Sequence, residues 1–355
     1  MRMMSFYQSK SFLEDLSAAA DAVVGLEKLY GKSVLIAGAS GLIGSFMTDI
    51  LMECNRSRNA DITVYALDRD MARIAERFDE IKTEKLIYIE GDVNTVPTFD
   101  YPVDYIIHAA SNAFPAVFNS DPVGTVMSNI QGTKNLLDYG VAHGAARLLY
   151  ISSGEVYGQG DLSLDCFEES YGGYVDPTSV RSCYPNGKRT AETLCVAYTK
   201  QFGLETVIVR PSHTYGPCAT RADNRANVQF VNKGLAGEDI VLNSAGTQLR
   251  SYTYITDSAS AILSVLTTGE TGNAYNIANS NARTTIAGYA QTVAKLTGTK
   301  VIFADPDAVA KAEQTPIEKQ VLSSKKLEAL GWSGRYTVEE GIGRTLQIMR
   351  ELEEQ

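Results

Sequence analysis

The chain has 355 residues, is 44% hydrophobic and 21% charged, and carries a net charge of -10. That is the make-up of a soluble globular protein, long enough for two domains or for one large domain with a lobe. The acidic balance argues against wholesale nucleic-acid binding, and no apolar run reaches the roughly 18 residues of a membrane span.

Five cysteines (Cys54, Cys166, Cys183, Cys195 and Cys218) are scattered, with no CxxC pair. They fit reduced thiols in a cytoplasm better than a disulfide frame, and no apolar export signal opens the chain. None of the three histidines pairs with cysteine at metal-ligand spacing, so no metal site is expected.

Residues 8–30 read as an amphipathic helix, with Phe12, Leu13, Leu16, Ala20, Val23, Val24 and Leu26 near helical spacing. It is expected to cap an edge of the fold. Ser33–Ala37 is a short apolar run, as in a strand buried on both faces. The loop Gly38-Ala39-Ser40-Gly41-Leu42-Ile43-Gly44 follows, and then a helix through about Cys54. Further strands are predicted at 62–67, 86–90, 105–109, 148–152 and 206–210, with clear helices at 123–143 and 184–202. Alternating strands and helices predict an α/β fold, a Rossmann-like doubly wound parallel sheet. After Pro211 the rhythm changes. Loops at 220–227 and 243–250 break up shorter elements, and helices return at 257–267, 284–297 and 337–353. The expected organisation is an N-terminal helical extension (1–30), a dinucleotide-binding domain (31–210) and a smaller C-terminal α/β substrate lobe (211–355), some of whose segments return to the sheet.

The glycine loop sits between a buried strand and a helix, the context a dinucleotide needs. Gly38 permits the tight turn, Gly41 lets the backbone approach a pyrophosphate, and Gly44 lets helix and strand pack closely. Asp68 ends the second strand, where a carboxylate accepts hydrogen bonds from ribose hydroxyls and repels a 2'-phosphate. NAD is therefore favoured over NADP, although the adjacent Arg69 could receive such a phosphate. Asp92 and Val93, after the third strand, are placed to meet adenine.

Tyr184 and Lys188 stand four residues apart on one helix face. The ammonium is expected to lower the phenol's pKa, so that Tyr184 takes a hydroxyl proton near neutral pH. Ser153 follows the fifth strand and can hydrogen-bond the same substrate oxygen. Arg181, Arg189, Arg210, Arg225 and Arg250 are expected to concentrate positive charge in the cleft.

Together with His108-Ala109-Ala110-Ser111, Asn129-Ile130-Gln131-Gly132-Thr133 and Arg210-Pro211-Ser212-His213-Thr214-Tyr215-Gly216-Pro217, these residues resemble an extended short-chain dehydrogenase/reductase. That group contains nucleotide-sugar epimerases, dehydratases and decarboxylases, and the resemblance runs from about residue 32 to the C-terminus. Arg181-Ser182-Cys183-Tyr184, Gly187-Lys188-Arg189 and Arg250-Ser251-Tyr252-Thr253-Tyr254 look most like UDP-glucuronate decarboxylases. The resemblance implies bound NAD, contacted by Ser40, Leu42, Ile43, Ala109, Ala110, Ser111 and Asn129 besides the residues above. It also implies a UDP-linked sugar substrate and a homodimer through the helices at 123–143 and 184–202. Arg250 would hold the diphosphate, with Arg225 nearby. Arg181 could pair with a sugar carboxylate, and His213, where relatives have asparagine, could be a pH-sensitive contact.

The shared first step is oxidation of the sugar C4 hydroxyl. A C6 carboxylate would then be lost as carbon dioxide, with Glu155 helping to protonate C5. The alternatives are a 4,6-dehydratase, disfavoured by Gly154 where those enzymes often have an acid, and a 4-epimerase, in which Glu155 would be idle. A remoter alternative, a non-catalytic dinucleotide sensor, is disfavoured because Tyr184 and Lys188 are both kept.

Overall fold

The structure, a computed structural model, describes residues 5–353 except 96, 112, 114, 221–222 and 305–316. Positions 1–4 of the expected extension and positions 221 and 222 of the expected loop therefore lie outside the described residues.

Seven parallel strands form the main sheet: β1 (Ser33–Ala37), β2 (Thr63–Asp68), β3 (Leu86–Glu90), β4 (Tyr105–His108), β5 (Arg147–Ile151), β6 (Glu205–Pro211) and β10 (Ala274–Ile277). The predicted bounds at 33–37 and 86–90 are met, and the other predicted strands shift by one residue at one or both ends. Alternation along the strands decides the layers. Val34, Ile36, Val64, Ala66, Ile107, Leu149 and Val207 enter one core, covered by helices α2 (Leu42–Arg58), α3 (Met71–Phe78) and α8 (Ile255–Thr268). Leu35, Ala37, Leu67, Ile106, Leu148, Tyr150 and Ile208 enter the other, beneath α5 (Pro122–Ala142) and α6 (Cys183–Phe202). A short helix, α4 (Pro115–Ser120), precedes α5.

The spatial order is β3-β2-β1-β4-β5-β6-β10. The chain runs outward from β1 to β3, then crosses back to place β4 on the other side of β1. Loops leaving the carboxyl ends of β1 and β4 therefore turn to opposite faces and open a cleft, where doubly wound sheets bind ligand. The lobe adds a second sheet of β7 (His213–Tyr215), β9 (Leu249–Tyr254), β11 (Arg283–Thr285) and β13 (Lys319–Gln320). It also has the pair β8 (Ile240–Leu242) and β12 (Val301–Phe303), with helices α7 (Ala226–Leu235) and α9 (Ile286–Thr297).

The first helix is shorter than expected. α1 (Lys10–Ala22) ends where Val23 turns extended, and Gly25 adopts a φ of 73°. Side chains of α8 take over the backbone there: Val24 N–H donates to Ser264 Oγ at 2.9 Å, and Thr267 Oγ1 donates to Val24 O at 2.6 Å. Nor does α1 cap an edge. It packs across α2 and α8, burying Phe12, Leu16, Ala19 and Ala20. Asp15 accepts from Tyr254 Oη at 2.5 Å and from Arg344 Nε at 3.0 Å, which joins α1 to β9 and to the C-terminal helix Val338–Glu353. Phe12 is fully buried against Phe46 of α2. Phe12→Ala is expected to lower unfolding stability by about 3–5 kcal/mol in urea titration.

Candidate active site

The loop after β1 meets the loop after β4 at close quarters. Gly38 has a φ of 83°, and a Cβ there would lie 2.7 Å from Ala110 N. A Cβ on Gly44 would lie 2.2 Å from Gly38 O, so only glycine lets α2 start this close to the strand. Gly41, the N-cap of α2, brings no side-chain acceptor to the first helical N–H groups. A Cβ on it would meet only Gly38 O, at 3.4 Å. This is a bare helix N-terminus behind an open backbone, which suits a pyrophosphate. Asp68 accepts from Ser40 Oγ at 2.6 Å and Ser40 N at 3.2 Å, so the acid that ends β2 braces the glycine loop. Arg69 lies 3.8 Å from Asp92 Oδ2. These groups fit NAD.

The cleft holds about 400 Å³. Gly38, Ser40, Gly41, Leu42, Ile43, Gly44, Asp68, Arg69, Asp92, Val93, Ala109, Ala110 and Ser111 line it on the β1–β4 side. Ser153, Glu155, Tyr184, Lys188, His213 and Arg225 line it on the side of β5, β6 and the lobe. Three expected residues stand outside its wall. Asn129 is fully buried, and its Oδ1 accepts from Ser111 Oγ at 3.1 Å and from Tyr150 Oη at 3.3 Å. It braces the wall from behind. Arg181 donates to both oxygens of Glu155, at 2.9 and 2.7 Å, with its guanidinium 4.7 Å from the Phe118 ring centre. Arg250 is buried and donates to the carbonyls of Leu249 at 3.0 Å and Ile317 at 2.5 Å.

The structure places α6 on the end of β5. Lys188 Nζ donates to Ile151 O at 2.7 Å. One turn later, Glu192 accepts from Ser152 Oγ at 2.5 Å and from Arg210 at 3.0 and 2.7 Å. Arg210 also donates to Tyr157 Oη at 2.9 Å, and Tyr157 Oη donates to Asn276 Oδ1 at 2.6 Å. At the other end of the helix, the Tyr184 ring stacks on Phe118 at 4.6 Å. Ser153 Oγ accepts from Glu155 N at 3.1 Å and caps the 3-10 turn Gly154–Tyr157.

Three electrostatic expectations are overturned. Tyr184 is not acidified by Lys188. Burial pushes its phenol up to about 12, Glu155 adds to this, and a hydrogen bond with Ser153 and the charges of Arg181 and Arg225 only partly offset it. Lys188 points its ammonium at the Ile151 carbonyl, and burial lowers it to about 7. His213 is no pH-sensitive contact near neutrality. Burial, Arg250 and Arg225 hold it down to about 3, so the ring is uncharged. Finally, the five arginines do not form a free cationic patch. Arg181 and Arg210 are paired to Glu155 and Glu192, and Arg225 to Asp223. Arg189 donates to the carbonyls of Val156 and Gly173, as Arg250 does to its own pair.

Sequence reasoning missed Arg73, which lines the cleft and donates to Ser40 O at 3.3 Å. Its place one turn beyond Asp70, the N-cap of α3, was the available signal. It also missed Asp223, Thr220 and Gln320, which reach the cleft only through folding of the lobe.

A glycine-rich dinucleotide cradle facing a serine, a tyrosine and a lysine defines an NAD-dependent enzyme of the Rossmann type. The profile of the NAD-dependent epimerase/dehydratase family matches residues 34–278, and the chain belongs to that family. It is similar to UDP-glucuronic acid decarboxylase 3 of Arabidopsis thaliana, 34% identical over 310 residues covering 87% of this chain and 86% of that one. It is also similar to UDP-glucuronic acid decarboxylase 1 of Xenopus tropicalis, 32% identical over 328 residues covering 91% and 74%. Its fold matches an NAD complex of dTDP-glucose 4,6-dehydratase from Bacillus anthracis, with a TM-score of 0.76 and 20% identity, covering 91% of this chain and 98% of that one.

The buried Lys188 bears on stability. A lysine whose folded pKa is depressed holds fewer protons folded than unfolded, so it weakens the fold below its unfolded value of 10.5. That penalty fades as pH rises from about 7 to 10.5. Lys188→Met is expected to raise the Tm by roughly 2–5 °C at pH 7, with the gain shrinking toward pH 10, while abolishing turnover. Differential scanning calorimetry across that range checks both the sign and the trend.

Proposed function

We propose that the protein decarboxylates UDP-glucuronate to UDP-xylose through a 4-keto sugar and keeps NAD bound throughout. The observation that carries this reading is Glu155, an acid beside Tyr184 and Ser153 with no second acid free to work with it. Among the described cleft-lining residues the other acids are Asp68, Asp92, Asp121 and Asp223. Asp68 and Asp92 belong to the adenosine side, Asp121 caps α5, and Asp223 is paired to Arg225. Elimination of water across C5 and C6 calls for a base and an acid together, and Gly154 supplies none. Decarboxylation needs one proton returned to C5, which a single carboxyl group can handle. Epimerisation would leave Glu155, a partly exposed carboxylate paired to Arg181, without a chemical task. The relatives named as decarboxylases support the same choice.

In this reading Tyr184 takes the proton of the C4 hydroxyl while Ser153 hydrogen-bonds the same oxygen. NAD, when bound, would supply the acceptor for the C4 hydride and the donor that restores it. Lys188, lowered to about 7 by burial, stands one turn from Tyr184 on the same cleft wall, with its ammonium on the Ile151 carbonyl. Arg181 donates to both oxygens of Glu155 and so fixes where its carboxyl group sits. Residues 31–210 hold the cofactor, 211–355 mainly shape the sugar-nucleotide side, and 1–30 brace the two.

We also propose a cytoplasmic homodimer. All five cysteines are free thiols. Val123 and Met127 on α5 and Val196 and Phe202 on α6 are exposed apolar residues, and the two helices would pair with their copies. No described helix is long and apolar enough to cross a membrane.

NAD-loaded protein incubated with UDP-glucuronate should release carbon dioxide and yield UDP-xylose by mass spectrometry. Loss of water would mark a dehydratase, and unchanged mass with altered stereochemistry an epimerase. Tyr184→Phe should lower kcat by about 10³-fold with NAD still bound, and full activity would remove the assigned base. Light scattering should give twice the chain mass of 38.5 kDa.

A further inference from the structure

The two guanidiniums expected to meet a sugar carboxylate or diphosphate, Arg181 and Arg250, are engaged inside the protein. The cleft nevertheless holds a donor that the fold leaves idle. Gln320 is 3% exposed and lines the cleft, and its Nε2 has no hydrogen-bond partner among the described residues. Burying an amide NH₂ without a partner is costly, and native proteins rarely do so without reason.

Its position is tightly held. Gln320 pairs with Arg250 in the β13–β9 register. Around it, Leu249 N–H donates to Glu318 O at 2.9 Å, Phe167 N–H to Val321 O at 2.8 Å and Leu322 N–H to Ser251 Oγ at 3.1 Å. A Cβ on Gly154 would lie 3.5 Å from Gln320 Cδ, so the carboxamide abuts the turn that carries Ser153 and Glu155. No other described cleft-lining residue comes from beyond Arg225.

We propose that Gln320 is the specificity-determining residue for the sugar's C6 carboxylate, to which its Nε2–H donates. This rests on the decarboxylase reading above. The chemistry favours a neutral donor. As the C5–C6 bond breaks, its electron pair moves into the enolate of the 4-ketone and the carboxylate departs as neutral carbon dioxide. Negative charge therefore leaves the carboxylate on the way to the transition state. A guanidinium paired there would stabilise the ground state more than the transition state and slow the step. An amide orients the same oxygens with a weaker field. The uncharged His213, whose Nδ1 is also buried without a described partner, adds no cation there.

The test compares Kd values of the NAD-loaded protein for UDP-glucuronate and UDP-glucose, which differ at C6. Wild type should prefer UDP-glucuronate. Gln320→Leu should weaken UDP-glucuronate about tenfold, the effect of one hydrogen bond to a charged group, and leave UDP-glucose within about twofold. Gln320→Glu, of equal size but repulsive, should weaken UDP-glucuronate further and spare UDP-glucose. Gln320→Arg should tighten UDP-glucuronate and lower kcat. Retained NAD and an unchanged Tm report that each variant is folded. Equal weakening of both sugars, or undiminished preference in both the Leu and Glu variants, overturns the role of Gln320 while wild-type turnover keeps the decarboxylase reading. A wild type that neither prefers nor converts UDP-glucuronate overturns both.

Discussion

The site depends on how α6 is clamped to the end of β5. Tyr184, Lys188 and Glu192 recur every fourth residue and so share one helical face. Lys188 is tied to the Ile151 carbonyl, and Glu192 to Ser152 and Arg210. With the second and third positions of that face fixed, the first has little freedom left. The Glu192–Arg210 part of the clamp is ionic and largely buried, so removing either of those two would leave an uncompensated charge in the interior. It also continues outward through Arg210, Tyr157 and Asn276, which joins β5, β6 and β10 to the turn that holds Ser153 and Glu155.

This arrangement is poorly adapted to stability alone. Burial raises the Tyr184 phenol and lowers the Lys188 amine, both toward their uncharged forms. Strongly shifted groups gathered in one cleft are the usual mark of a site kept for chemistry. The surroundings also fix the position of Glu155, since Arg181 grips both oxygens and rests on Phe118, which itself stacks on Tyr184. Acid and phenol are thus set by one continuous stack.

The two halves of the chain are less separable than a division near residue 210 suggests. β10 and α8 come from the C-terminal half yet complete the main sheet and its core. α1 reaches across from the other end of the chain, with Asp15 bonded to β9 and to the C-terminal helix. The cleft wall inherits this interlocking. Gln320 arrives beside Gly154 because β13 adds to β9, far along the chain from the glycine loop.

Local pattern carried a good deal. The apolar runs of β1 through β6, the helices α5 and α6, the glycine loop and the Tyr184–Lys188 spacing were legible because each follows from a short-range rule of burial, period or turn geometry. The places of Asp68 and Ser153 on the cleft wall were legible because strand ends in this fold meet the cleft. What each charged group does was not. Lys188 carried a spacing that suggests acidifying its neighbour, but whether an ammonium faces a phenol or a carbonyl is decided by what packs around both. The same holds for Arg181, Arg210 and Arg250, whose partners lie on distant segments, and for Gln320, an ordinary residue in sequence. Spacing and composition determined the fold class and the placement of the cofactor loop. Only tertiary packing decided the charge states and partners, because burial and long-range contacts, not the residue types, set the energy of an ion in a protein interior.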